Sequence, residues 1–285
     1  MKVTNIDLYK YFGWPKPNKY AKGILHGIFF DHDSDDAEFP KKRIHPIMLI
    51  IPGGGYSFVS QRESAPVCIS FLKYGYNCFY LEYSVTPHNK YPTELIEGLM
   101  AITYLYKKAK DINSDKDKIS LCGFSAGGHL VGLLSSLTKE ERELFYPYDK
   151  CGAHIKAAIF SYPVINYEGS DEWFSNLLGK DYPAKERFDI TSRLNSSFPP
   201  SYIWASEKDE LVDPHLNAEY LKMALDKAKV PNKFHLYPNG MHGLSTGDIN
   251  THPVNDVNKE EFDNVTSWVE EASSFLSSIG AGLKY

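Results

Sequence analysis

The sequence predicts an α/β fold, a mostly parallel central sheet with helices on both faces. Three observations predict it. Short runs such as Ile44–Ile51 and Ile155–Tyr162 are nearly all apolar, as strands covered on both faces require. These runs alternate with segments whose apolar residues recur at helical spacing, the pattern of βαβ units with right-handed crossovers. Lys118–Leu130, reading KISLCGFSAGGHL, passes from an apolar run through a glycine-flanked turn into a helical pattern.

Taken in order, Ala21–Phe30 reads as a β segment, and the polar, acidic stretch Asp31–Glu38 as a hairpin-type loop. Ile44–Ile51 is a central strand that ends at Pro52-Gly53-Gly54-Gly55-Tyr56. Ser64–Tyr74 has helical spacing through Val67, Phe71 and Leu72 and stops at Gly75, a helix-terminating glycine. Tyr76–Tyr83 is strand-like. Pro92 opens a helix with Leu95, Leu99, Ile102 and Leu105 or Tyr106 on its apolar face, because proline in a first turn loses no hydrogen bond. Strands follow at Lys118–Gly123, Ile155–Tyr162, Ser201–Ser206 and Phe234–Tyr237, with helices at Pro214–Ala228 and Lys259–Ile279. Between Pro163 and Pro200 strand signals are few and aromatics scattered, and so long a connection inside a compact domain reads as a small cap over the strand ends. With no internal repeat and no Gly/Ser or Pro-rich linker, residues 1–285 are expected to form a single domain, with 163–200 as the cap.

Composition narrows the function. Of the residues 42% are hydrophobic and 24% charged, an ordinary globular balance. The net charge is -5 and Lys41-Lys42-Arg43 is the one basic cluster, which argues against nucleic acid or an anionic membrane surface as partner. No run approaches the ~20 apolar residues of a membrane helix, and the first residues lack the apolar segment of a signal peptide. A cytoplasmic protein is therefore expected. Cys68, Cys78, Cys122 and Cys151 are scattered without Cys-x-x-Cys pairing, so neither zinc nor redox chemistry is indicated.

The chemistry centres on Ser125. Gly123-Phe124-Ser125-Ala126-Gly127 matches the G-x-S-x-G nucleophile elbow, a turn so sharp that the residues two before and two after the serine must be small. A glycine-rich turn whose serine only caps the next helix is the competing reading. A serine hydroxyl is a weak nucleophile until a histidine takes its proton, and the imidazole needs a carboxylate to orient it. His242 is the best placed of the ten histidines, in the glycine-flanked loop Asn239–Gly243 directly after the last strand. His129, one turn beyond Ser125, reads as a packed or hydrogen-bonded structural residue. For the acid, Asp213 precedes Pro214 at a helix start and has a capping reason to exist, whereas Asp209 sits just past a strand end and is assigned the orienting role. The bare backbone of the triple glycine lets amides approach a ligand, so the Gly54, Gly55 and Ala126 N–H groups are the expected oxyanion hole. Tyr56, Tyr167, Trp173 and Phe174 are candidates for lining a substrate pocket and equally for the core.

Four motifs in order, PGGGY (52–56), GFSAGGHL (123–130), SEKDELVDP (206–214) and HLYPNGMHG (235–243), make the chain resemble the α/β-hydrolase superfamily. Within it the chain is similar to small esterases such as bacterial acetyl-xylan and carbohydrate esterases. Lipases of the hormone-sensitive type carry His-Gly-Gly-Gly, and Pro52 stands in place of that histidine, which moves the resemblance toward sugar esters. The resemblance implies the α/β-hydrolase fold and a serine carboxylesterase acting on short-chain acyl esters, acetylated sugars among them. It implies Ser125, Asp209 and His242 as the triad, an acyl-enzyme, and no cofactor or metal. The expected partner is a small-molecule ester, and a homodimer is compatible with the sequence. Two other readings compete: an oligopeptidase-like serine peptidase, which would normally add a large gating domain, and a catalytically silent hydrolase fold used for binding.

Overall fold

The computed structural model describes residues 1–30, 43–149, 154–166, 171–182, 185–251 and 264–283. Its framework is one eight-stranded sheet. The strands are β1 (Lys2–Asp7), β2 (Ile24–Phe29), β3 (His45–Ile51), β4 (Asn77–Glu82), β5 (Ser114–Phe124), β6 (Ile155–Ser161), β7 (Ser201–Ser206) and β8 (Asn232–Tyr237). They lie in the order β1-β2-β4-β3-β5-β6-β7-β8. β1–β2 and β2–β4 pair antiparallel and the remaining pairs run parallel. The helices are α1 (Leu8–Phe12), α2 (Ala65–Leu72), α3 (Thr93–Lys108), α4 (Ala126–Ser135), α5 (Lys139–Leu144), α6 (Asp171–Leu178), α7 (Ile190–Arg193), α8 (Ala218–Lys227) and α9 (Trp268–Ser278).

All seven residues of β3 are buried, as its continuous apolar run requires. Because strand side chains alternate between faces, Ile47, Leu49 and Ile51 enter one core with α3 and α4, whereas Met48 and Ile50 enter the other with α2 and α9. Neither face is left to solvent. None of the described helices is long and apolar enough to cross a membrane.

Several boundaries differ from the sequence expectation. The edge strand β1 and helix α1 were not foreseen: β1 is half exposed and packs only one face, so its hydrophobic pattern is thin. Helix α5 was likewise missed, although Thr138 and Glu141 form a reciprocal capping box, a signal present in the sequence. Residues 214–217 are turns, so α8 starts at Ala218 and not at Pro214. There the Asp213 side chain accepts the His215 and Leu216 N–H groups, closing a turn before the helix. The expected loop at Asp31–Glu38 and residues 259–263 of the expected closing helix lie outside the described residues, and α9 begins only at Trp268.

The strand order positions the site. From β3 the chain crosses to β4 on one side, and from β5 it proceeds to β6 and β7 on the other. The loops leaving β3 and β5 therefore diverge at a topological switch point, with Ile51 in register with Gly123. A crevice opens at such a point because no connection covers it.

Candidate active site

The turn after β5 is as sharp as its glycines imply. Ser125 is held at φ 52°, ψ −121°, a strained conformation for a residue with a side chain. A Cβ at Gly123 would stand 2.5 Å from the Gly127 carbonyl oxygen, and one at Gly127 would stand 2.1 Å from that of Ile51. The backbones of β3, β5 and α4 are thus in contact through missing side chains. The Ser125 amide donates to the Ser161 carbonyl on β6 at 3.0 Å, leaving the hydroxyl to face the crevice.

There it meets His242. Nε2 lies 2.9 Å from Ser125 Oγ, and Nδ1 lies 2.7 Å from Asp209 Oδ2. A carboxylate can only accept, so Nδ1 carries the proton and Nε2 presents its lone pair to the serine hydroxyl. The second Asp209 oxygen accepts the Leu211 and Val212 N–H groups at 3.0 and 2.9 Å, which fixes the carboxylate plane. The Asp209 side chain is 1% exposed and that of His242 14%, so bulk water competes little with this relay. Asp213 stays on its own turn and does not reach the histidine.

The glycine loop closes the opposite wall. Gly53 N–H is used, donating to Glu63 Oε2 at 2.7 Å. Among the described residues, the N–H groups of Gly54, Gly55 and Ala126 donate to no acceptor, and Gly54 and Gly55 line the crevice. Asn176 of α6 donates to the Gly55 carbonyl at 2.9 Å and holds the loop from the far side. The crevice has a volume of about 530 Å³; its apolar wall includes Phe58, Val59, Trp173 and Leu211. Among the described residues, no cluster of His, Cys, Asp and Glu converges as a metal site would.

The aromatic candidates separate. Trp173 lines the crevice. Phe174 and Tyr56 do not: both are buried in the core on the α3 and α4 side, which is the second of the two places the sequence left open for them. Consecutive helical residues point about 100° apart, and on α6 that step turns Trp173 to the crevice and Phe174 to the core. Tyr56 instead donates its hydroxyl to His129 Nδ1 at 2.8 Å, while His129 Nε2–H donates to the Phe188 carbonyl at 2.8 Å. That buried imidazole has the structural role expected of it, and burial first of all pulls its pKa down to about 4. Tyr167 lies outside the described residues. Sequence reasoning missed Glu63, Asn176 and Tyr162, whose ring packs edge-on against His242 at 4.9 Å. No periodicity or glycine marks them, so only their contacts reveal them.

Comparison with known proteins agrees with this architecture. The chain is 30% identical over 236 residues to endo-1,4-beta-xylanase B of Butyrivibrio fibrisolvens, an alignment that covers 79% of this chain and 36% of that one. It spans 36, 50 and 58% of the lengths of three curated relatives it matches. Its fold matches that of the carboxylesterase Cest-2923 from Lactobacillus plantarum with a TM-score of 0.84, covering all of both chains at 24% identity. The acetyl ester-xyloside bifunctional hydrolase from Caldicellulosiruptor lactoaceticus superposes with a TM-score of 0.80 at 26% identity, covering 98% of this chain and 97% of that one. The BD-FAE family model matches residues 36–225, well over half of the chain, and the protein belongs to that family of α/β hydrolases.

Proposed function

We propose that the protein is a serine esterase that hydrolyses short-chain acyl esters, acetylated sugars among them, through Ser125, His242 and Asp209. The observation that carries the reading is the unbroken relay from Asp209 Oδ2 through both ring nitrogens of His242 to Ser125 Oγ, with steps of 2.7 and 2.9 Å. In this reading His242 takes the hydroxyl proton as Oγ attacks the ester carbonyl, and Asp209 stabilises the imidazolium that forms. The amides of Gly54, Gly55 and Ala126 receive the oxyanion. Collapse of the intermediate expels the alcohol, which takes the proton from His242, and leaves an acyl group on Ser125. Water activated by the same histidine then releases the acid. The sugar-ester preference is supported by the likeness to the xylanase and to the acetyl ester-xyloside bifunctional hydrolase. In the same proposal residues 163–200 form the cap of a single domain, with Trp173 and Asn176 of α6 on the crevice wall selecting the ester.

The test is turnover of 4-nitrophenyl acetate by Ser125→Ala, expected to fall by about 10⁶ in kcat. Retained turnover by the purified variant would sink the proposal.

A further inference from the structure

The two loops that the proposed chemistry needs come from distant strands. The glycine loop leaves β3 and the His242 loop leaves β8, with β5, β6 and β7 between them, so no ladder hydrogen bond ties one to the other. A side-chain bridge does. Glu63, just before α2, is 4% exposed. Its Oε2 accepts the Gly53 N–H at 2.7 Å and its Oε1 accepts the Tyr162 hydroxyl, also at 2.7 Å. The Tyr162 oxygen in turn accepts the Ser245 N–H at 2.9 Å, three residues beyond His242. The same corner is clamped again by Ser245 Oγ, which donates to the Arg62 carbonyl at 2.6 Å.

Several features mark this bridge as more than packing. A carboxylate buried beside Ser125 is an unfavourable neighbour for an oxyanion, so its electrostatic effect on the reaction runs the wrong way. What it offers is two short, charge-assisted hydrogen bonds that fix its partners in place. Three consecutive glycines have wide conformational freedom, and the bond to Gly53 removes it at the point where the loop leaves the sheet. Four of the six non-glycine residues with positive φ among the described residues are Tyr56, Ser125, Tyr162 and Ser245. The strain therefore gathers around the site, and two of the four belong to the bridge.

We propose that Glu63 is a positioning residue that locks the oxyanion amides and the His242 loop into one register, through Gly53 on one side and Tyr162 and Ser245 on the other. The inference rests on the reading of Ser125 as an esterase nucleophile. A loop free to shift by about 1 Å at either end would misplace its donors, which costs on the order of 100-fold in rate.

The experiment uses the full chain and compares Glu63→Gln, Tyr162→Phe and the double variant. It reads kcat and KM for 4-nitrophenyl acetate, the rate of labelling by a fluorophosphonate, and the thermal midpoint. A glutamine keeps the shape but has a single acceptor oxygen, so it cannot accept from both Gly53 N–H and the Tyr162 hydroxyl as Glu63 does. Each single variant is expected to lose about 10- to 100-fold in kcat, with KM within about threefold, and the double variant to lose no more than the worse single. Labelling should slow in parallel. Unchanged kcat, a loss confined to KM, or losses that multiply in the double variant would overturn the inference. Should Glu63→Gln not fold, Tyr162→Phe, which removes one oxygen and keeps the ring packing, decides the matter by the same kcat and labelling criteria. A wild-type protein that neither turns over the ester nor labels at Ser125 would overturn the esterase reading itself. A wild-type protein that labels at the same rate as Glu63→Gln would overturn the bridge alone.

Discussion

Asp209 holds His242 with one carboxylate oxygen and its own loop with the other: Oδ2 stands 2.7 Å from Nδ1, and Oδ1 accepts two amides. The carboxylate cannot rotate without breaking three hydrogen bonds. Asp209→Asn leaves an amide that must either donate toward Nδ1 or turn away from the loop, which inverts the imidazole tautomer or loses its orientation. A fall of about 10⁴ in kcat at neutral pH is expected. Asp213→Asn retains an acceptor for the His215 and Leu216 amides and should stay within a few-fold of wild type. Side-by-side kcat values check this, and a larger loss at Asp213 would reassign the acid.

The neighbouring aromatics of α6 should behave oppositely. Trp173 lines the crevice, and Phe174 is buried 4.9 Å from the His129 ring. Trp173→Ala is expected to change the KM ranking across an ester panel while moving the thermal midpoint little. Phe174→Ala should cost about 3–5 kcal/mol of stability, measured by denaturant unfolding, with the ranking preserved in the folded fraction.

Gly127 has no room for a side chain. Its added methyl would fall 2.1 Å from the Ile51 carbonyl oxygen at the end of β3 and 2.4 Å from that of Pro52, where the glycine loop begins. Gly127→Ala should therefore push β3 and α4 apart, with a loss of about 3 kcal/mol and of most of the proposed 4-nitrophenyl acetate turnover together. A variant with wild-type stability and activity would contradict the close approach.

Two buried groups set opposing pH dependences of stability. Burial, opposed by hydrogen bonds from Ser84 and Tyr9, raises the Glu97 pKa from 4.5 to about 7. Between those values the folded state holds a proton that the unfolded chain has released. The contribution of Glu97 is thus fully present below pH ~4.5 and lost as pH rises through about 7. For His129 the pKa falls from 6.5 to about 4, so here the unfolded chain binds the extra proton and stability is lost as pH drops from 6.5 toward 4. Glu97→Gln should reduce the first slope, leaving the part that buried Glu94 contributes with the same sign, and His129→Gln should reduce the loss between pH 6.5 and 4. Unfolding free energies across pH 4–8 check both, and a Glu97→Gln profile parallel to wild type would count against the first.

Much of the fold was legible because its signals are local. A strand buried on both faces must be mostly apolar, and β3, β6 and β7 announce themselves in that way. The two glycines around Ser125 state the sharpness of a turn whose backbone atoms lie within reach of one another. Asp209 could be preferred to Asp213 because Asp213 already had a local capping task. Where an element packs one face only, as β1 does, or where the first turn is held by a side chain rather than by the helix, as before α8, the pattern was too thin to read.

By itself, then, the sequence determined which residues could do chemistry: a serine on a forced turn, a histidine and an aspartate in loops at the same sheet edge, and amides without side chains. Tertiary structure alone decided distances and facing directions. It directs Trp173 into the crevice and Phe174 into the core, joins Tyr56 to His129, and spans the loops of β3 and β8 with Glu63 and Tyr162. The physical reason is that propensity and hydrophobic period are properties of neighbours in the chain. A hydrogen bond between residues 63 and 162 depends on the sheet order that sets β3 and β6 on either side of β5, and no short stretch of sequence encodes that.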